Sequence, residues 1–147
     1  MINPLFVLFF LFTIFGFSSD SQHSDSQTGS LTIVFSGIES DKGTVKVALA
    51  NSEQNYKDHQ NPFIGLTIPI SNKKAITVID ELPFGEYAVK AFHDEDGNDM
   101  LNTNFLGIPT EDYGFSNDAR GIFGPPSWSD AKFILNSEQL IITITIK

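Results

Sequence analysis

LPFGEYAVKAFH, residues 82–93, decides the fold. Pro83 and Gly85 are turn residues, and the chain that leaves them alternates strictly. Tyr87, Val89, Ala91 and His93 fall on one face, with Ala88, Lys90 and Phe92 on the other. A period of two over this length is a half-buried strand, because successive side chains of a strand point to opposite faces.

The same signal recurs on both sides. Upstream, Leu31, Ile33 and Phe35 alternate with Thr32, Val34 and Ser36, and a strand is expected to end near Gly37. After a turn at Ser40-Asp41-Lys42-Gly43, the residues Val45, Val47 and Leu49 alternate with Lys46 and Ala48. The polar segment from Asn51 to Phe63 suits one irregular helical turn around Tyr56. Leu66 to Ile70 is apolar, but Pro69 has no N–H to give a ladder, so this piece belongs at a sheet edge. Ala75 to Ile79 is a short strand. Downstream, Ala131, Phe133 and Leu135 form one alternating set and Leu140, Ile142, Ile144 and Ile146 another. No window sustains a helical period over a dozen residues. About seven short strands predict an all-β, antiparallel two-sheet sandwich, Ig-like or prealbumin-like, with a closed barrel as the alternative.

Between the last strands lies one long aperiodic stretch, residues 92–128, FHDEDGNDMLNTNFLGIPTEDYGFSNDARGIFGPPSW. Ordered loops of this length are uncommon in compact domains, and those that exist are usually functional. Asp94, Asp96 and Asn98 stand at i, i+2 and i+4 directly after a strand, followed by Met100 and Asn102. Oxygen ligands at positions 1, 3 and 5, a backbone carbonyl at 7 and a polar group at 9 are how a calcium loop wraps its ion. Position 12 holds Phe105 instead of a glutamate and position 6 holds Asp99 instead of glycine, so the missing carboxylate has to come from Glu111 or Asp112. The competing account is that these residues make Asx turns.

His93, Asp94, Glu95, Glu111, Asp112 and Arg120 are the groups available for acid–base work. Gly114-Phe115-Ser116 begins like a nucleophile elbow but lacks the closing glycine and the following helix. A non-enzyme is therefore expected, with a hydrolase using His93 and the loop carboxylates as an alternative. Arg120 is read as a tie to Asp118, Glu111 or Asp112 that pins the loop, with an anion clamp as the alternative. Tyr113, Phe115, Phe123 and Trp128 make either a satellite core under the loop or an exposed platform for sugar rings.

The formal net charge is −9, from 18 acidic and 9 basic residues, which excludes nucleic acid and disfavours an anionic membrane surface. The sequence has no cysteine, so disulfides, thiolate metal sites and a lipid-anchored cysteine are excluded. Leu5 to Phe17 is an apolar run of signal-peptide length, shorter than the roughly 20 residues of a spanning helix. Gly16 and Ser18 fit a cut after Ser18, which would leave a flexible linker over 19–30 and a domain over 31–147. The rival reading is an uncleaved N-terminal anchor. Both place the body outside the cytoplasm, in the periplasm, at the cell surface or secreted, and an uncleaved leader is then its one route to a membrane.

Leu82-Pro83-Phe84-Gly85-Glu86-Tyr87-Ala88, His93-Asp94-Glu95-Asp96-Gly97-Asn98, and Asn104-Phe105-Leu106-Gly107-Ile108-Pro109 resemble an exported bacterial family called domain of unknown function 2141. The runs from Tyr113 to Asn117 and from Gly124 through Trp128 to Ala131 resemble it too, so the likeness covers about Leu31 to Lys147. Its members usually read Asn-Gly-Asn-Gly after His-Asp-Glu, with Asp at the place of Asn102. The neutral amide at 102 implies weaker calcium binding. The resemblance implies no established activity. The turn entering the strand also looks like those of prealbumin-like and collagen-adhesin B-type sandwiches, mostly structural or adhesive modules. The sequence is thus read as an exported binding or envelope-associated module, calcium-stabilised, with a glycan or an envelope protein as partner.

Overall fold

The computed structural model describes residues 27–58 and 60–147. The leader and all but the end of the expected linker lie outside the described residues. Among the described residues eight strands form two sheets. Strands β1 (Thr28–Ser36), β4 (Ala75–Pro83) and β8 (Gln139–Thr145) make a three-stranded sheet in the order β4-β1-β8. Strands β2 (Thr44–Ala50), β3 (Ile64–Pro69), β5 (Gly85–Asp94) and β6 (Tyr113–Phe115) run in the order β3-β2-β5-β6. Strand β7 (Phe133–Leu135) pairs with the first residues of β5, which completes the five-stranded sheet.

Alternation produces the sandwich. Leu31, Ile33 and Phe35 of β1 face Val45, Val47 and Leu49 of β2 and Tyr87, Val89 and Ala91 of β5 in one core, closed by Leu135, Ile144 and Ile146. Each such apolar side chain contributes about 1.5–3 kcal/mol on burial. β3 stands at the edge, as Pro69 requires. A five-residue helix α1 (Glu53–Lys57), capped by the Ser52 side chain, carries the buried Tyr56.

Four features depart from the expected pattern. The pairing of β1 with β8 is parallel, in register from Ser30↔Gln139 to Ser36↔Thr145. β6 is an added short strand inside the long loop, pairing Phe115 with Lys90 and Tyr113 with Phe92. Ala131 belongs not to a strand but to a helical turn, α2 (Trp128–Ala131), whose first turn is capped by the Ser127 hydroxyl. β1 also begins three residues before Leu31, at Thr28.

Candidate functional site

The site grows out of the end of β5. Gly43, in the turn between β1 and β2, has φ +66° and lies so close to the Asp94 carbonyl that a Cβ there would collide with backbone. That close approach seats Asp94 against the sandwich. Its carboxylate is fully buried and accepts the N–H groups of Gly97 at 2.9 Å, Asn98 at 3.1 Å and Asp99 at 3.1 Å. A carboxylate satisfied by three amides makes the chain curl around it, and Gly97 and Asp99 take the left-handed conformations the curl needs.

The next turn winds on Asp96 and Asn98. Asp96 accepts from the Asn98 backbone at 3.1 Å and from the side-chain amides of Asn98 at 3.0 Å and Asn102 at 2.8 Å. Asn98 Oδ1 accepts the Met100 N–H at 2.8 Å. Glu111 then returns across the loop and accepts from the backbone N–H groups of Glu95 at 3.1 Å and Asn102 at 2.9 Å. Carboxylate oxygens of Asp94, Asp96 and Glu111 come within 4.8 Å of one another. Like charges at that separation repel by about 1–4 kcal/mol per pair, depending on how far water screens them. Asp112 does not join this trio. Its carbonyl accepts the His93 N–H at 2.8 Å.

Lys46, on the outward face of β2, supplies the nearest positive charge. Its ammonium bonds Asp99 and lies 3.7 Å from Asp94 Oδ2. The hydrogen bond to Asp99 outweighs partial desolvation and holds the lysine pKa above its ordinary value. On the other side of the loop base, the Ser40 hydroxyl donates to Glu95 at 2.7 Å and lowers that carboxyl's pKa.

Beyond this base the loop presents apolar residues to solvent. Asn104 builds a tight turn by accepting the N–H groups of Leu106 at 2.9 Å and Ile108 at 3.1 Å. The turn is ordered by hydrogen bonds, yet Phe105 at its tip is 94% exposed, with Leu106 and Ile108 also open to water. Farther on, Ile122 and Phe123 stand fully out between Gly121 and Gly124. The sequence places Phe123 in an aromatic string, but it offers Phe105 only as position 12 of the calcium loop and Leu106 and Ile108 only as part of a family-like run, with no expectation that they face solvent. Their available signal was consecutive large apolar residues bracketed by turn formers, where polar residues are the norm.

The remaining aromatics pack. Tyr56, Phe115, Ala50, Ala88 and Ala131 form a second buried cluster on the outer face of the larger sheet, with Tyr113 and Trp128 packed against it. Trp128 meets Tyr56 edge-on, with ring centroids 5.8 Å apart. The Tyr56 hydroxyl donates to the Pro126 carbonyl at 3.1 Å, and burial pushes its pKa up to about 12. Lys90 donates to the Tyr56 carbonyl at 2.6 Å and its own pKa is lowered by desolvation. Beside this cluster an open groove of about 780 Å³ runs over Lys46, Ala48, Phe92 and Tyr113, with Met100 and Pro125 also along it.

Ser116 is fully buried, accepts the Val89 N–H at 2.9 Å and donates to the Ala131 carbonyl at 2.5 Å. Its hydroxyl ties β5, the loop and α2 together and is committed there. Arg120 does not tie down Asp118, Glu111 or Asp112. Its guanidinium lies over the Tyr113 ring, 6.0 Å from the centroid, while Asp118 accepts the Thr145 N–H at 2.8 Å. An exposed guanidinium loses little by leaving a surface carboxylate and gains a ring face.

Fold and loop together define a two-sheet β-sandwich with a carboxylate-wound loop at one end. The chain belongs to the bacterial family described as "Uncharacterized protein conserved in bacteria (DUF2141)", whose profile matches residues 33–143. No curated protein and no solved structure matches the chain. Among the described residues no helix is long and apolar enough to cross a membrane.

Proposed function

We propose that this chain is an exported, non-catalytic binding module that engages an envelope protein through the apolar tips of its long loop, with Ca²⁺ held at the loop base by Asp94, Asp96 and Glu111. The observation that carries the reading is the pairing of a hydrogen-bonded turn with outward-facing Phe105, Leu106 and Ile108. Ordered backbone that exposes large apolar side chains marks an interaction surface. A net charge of −9 favours a protein over an anionic lipid surface as the partner. Calcium suits the base because three carboxylates converge there and the Met100 carbonyl and Asn102 side chain follow at loop spacing. The glycan alternative rests on Tyr113, half-buried beside the groove, since Trp128 is packed against Tyr56.

Two measurements test this. Millimolar CaCl₂ should raise the melting temperature relative to chelator, and Asp96→Asn with Glu111→Gln should remove the difference. Absence of a calcium-dependent shift in the unaltered domain refutes the cation. The domain should co-sediment with isolated envelopes, lose that association when the envelopes are first treated with protease, and lose it in a Phe105→Ser, Phe123→Ser variant. Association that survives both treatments refutes the docking role of the tips.

A further inference from the structure

The loop base has a second side. Strand-like alternation sends Asp94 and Asp96 toward one cluster and His93 and Glu95 toward a small hollow of about 210 Å³, lined also by Glu39, Glu111 and Asp112. His93 is only 4% exposed. Its Nε2 lies 2.7 Å from the Lys42 carbonyl oxygen. A carbonyl can only accept, so Nε2 carries the proton, and in the neutral ring Nδ1 is left with a free lone pair. Among the described residues nothing hydrogen-bonds Nδ1, and no buried side-chain nitrogen lacks a partner. Nδ1 therefore touches open space, and the open space His93 lines is the hollow.

An imidazole whose far nitrogen is fixed by a backbone carbonyl is oriented as metal-ligating histidines are, with tautomer and ring direction set in advance. The carboxylates around it are suitably uncommitted. Glu39 is exposed, and Glu95 engages Ser40 through Oε1 alone. Glu39, Glu95 and Asp112 line the same hollow, and ligation requires their side chains to turn toward the ring, since among the described residues the group that already converges is Asp94, Asp96 and Glu111. We propose that this hollow is a site for a borderline divalent transition metal of the zinc type, ligated by His93 Nδ1 and by carboxylates drawn from Glu39, Glu95 and Asp112. The nitrogen ligand separates it from the all-oxygen base occupied by Asp94 and Asp96, which suits a hard ion. The two sites would lie back to back across residues 93–96.

The test uses the domain with Zn²⁺. Long-range ¹H–¹⁵N spectra of the unaltered protein should show His93 protonated at Nε2, and its Nδ1 resonance should move on addition of one equivalent of Zn²⁺. Titration calorimetry should show Zn²⁺ affinity falling by about tenfold or more in His93→Gln, whose amide keeps a donor for Lys42. Asp96→Asn should leave Zn²⁺ affinity unchanged. A proton on Nδ1, an Nδ1 resonance unmoved by Zn²⁺, or Zn²⁺ affinity lost in Asp96→Asn but kept in His93→Gln overturns the assignment. None of these readouts depends on calcium binding or envelope association, so this site stands or falls apart from them.

Discussion

Removing the Asp94 carboxylate should unfasten the loop from the sandwich. Asp94→Ala leaves three backbone N–H groups, of Gly97, Asn98 and Asp99, without their acceptor at a fully buried position. A hydrogen bond to a charged group is worth about 1.5–3 kcal/mol, and the three together set a ceiling of about 9 kcal/mol. Two things lower it. The three donors belong to exposed residues and can rehydrate when the turn opens, and Lys46 keeps its bond to Asp99. An expected loss of about 3–4 kcal/mol follows, comparable with breaking a buried charge pair. Urea unfolding followed by the fluorescence of Trp128, the sole tryptophan, measures it, since that ring packs in the second cluster on the same sheet. The slope of the transition should stay unchanged, because the core is untouched. Asp96→Ala, at an exposed residue, should cost less than about 1 kcal/mol. A loss below about 1 kcal/mol for Asp94→Ala would refute the claim that this carboxylate organises the loop.

Two further predictions concern the second cluster. Ser116→Ala should cost about 2–3 kcal/mol in the same assay, because it orphans the buried Val89 N–H and the Ala131 carbonyl; a near-neutral result would show that the hydroxyl ties nothing together. Tyr56 makes stability fall at high pH: its folded pKa of about 12 lies above the ordinary 10, so the unfolded chain releases its proton first and stability drains between those values. The contribution is roughly 2–3 kcal/mol, whereas Lys90, with a lowered pKa, pushes the other way as it approaches 10.5. Tyr56→Phe should flatten the loss between pH 10 and 12, and an identical alkaline profile for the variant would contradict it.

Much of this was legible because burial in a sandwich writes itself as alternation. The inward sets of β1, β2, β5 and β8 could be read residue by residue, and so could the edge position of β3 from Pro69. The spacing of Asp94, Asp96 and Asn98 likewise pointed to a wound turn, and the need for a returning carboxylate pointed to Glu111 or Asp112, between which the fold chooses Glu111. What stayed hidden is what only three dimensions decide. Tyr113-Gly114-Phe115 is too short to show a period, and it becomes a strand because Gly114 lets the backbone come against the Thr145 carbonyl, 2.5 Å from where a Cβ would stand. The helical turn at Trp128 did carry a signal, Ser127 followed three residues later by Asp130, but the apolar alternation that follows it was stronger. Lys46 and Asp99 are 53 residues apart, and nothing local to either announces their meeting.

The parallel pairing of β1 with β8 also has a mechanical consequence. Its register joins Ser30 to Gln139 at one end of the sandwich and Ser36 to Thr145 at the other. Tension applied between the start of β1 and the end of β8 therefore pulls the two strands past each other. Every rung of that ladder is then loaded at once and not one after another, the arrangement that resists force best. The carboxylate-wound base of the long loop hangs from the other sheet through β5, whereas its later part meets the end of β8, where Asp118 accepts the Thr145 N–H, so the same load reaches the loop at that end and leaves the base at Asp94 aside.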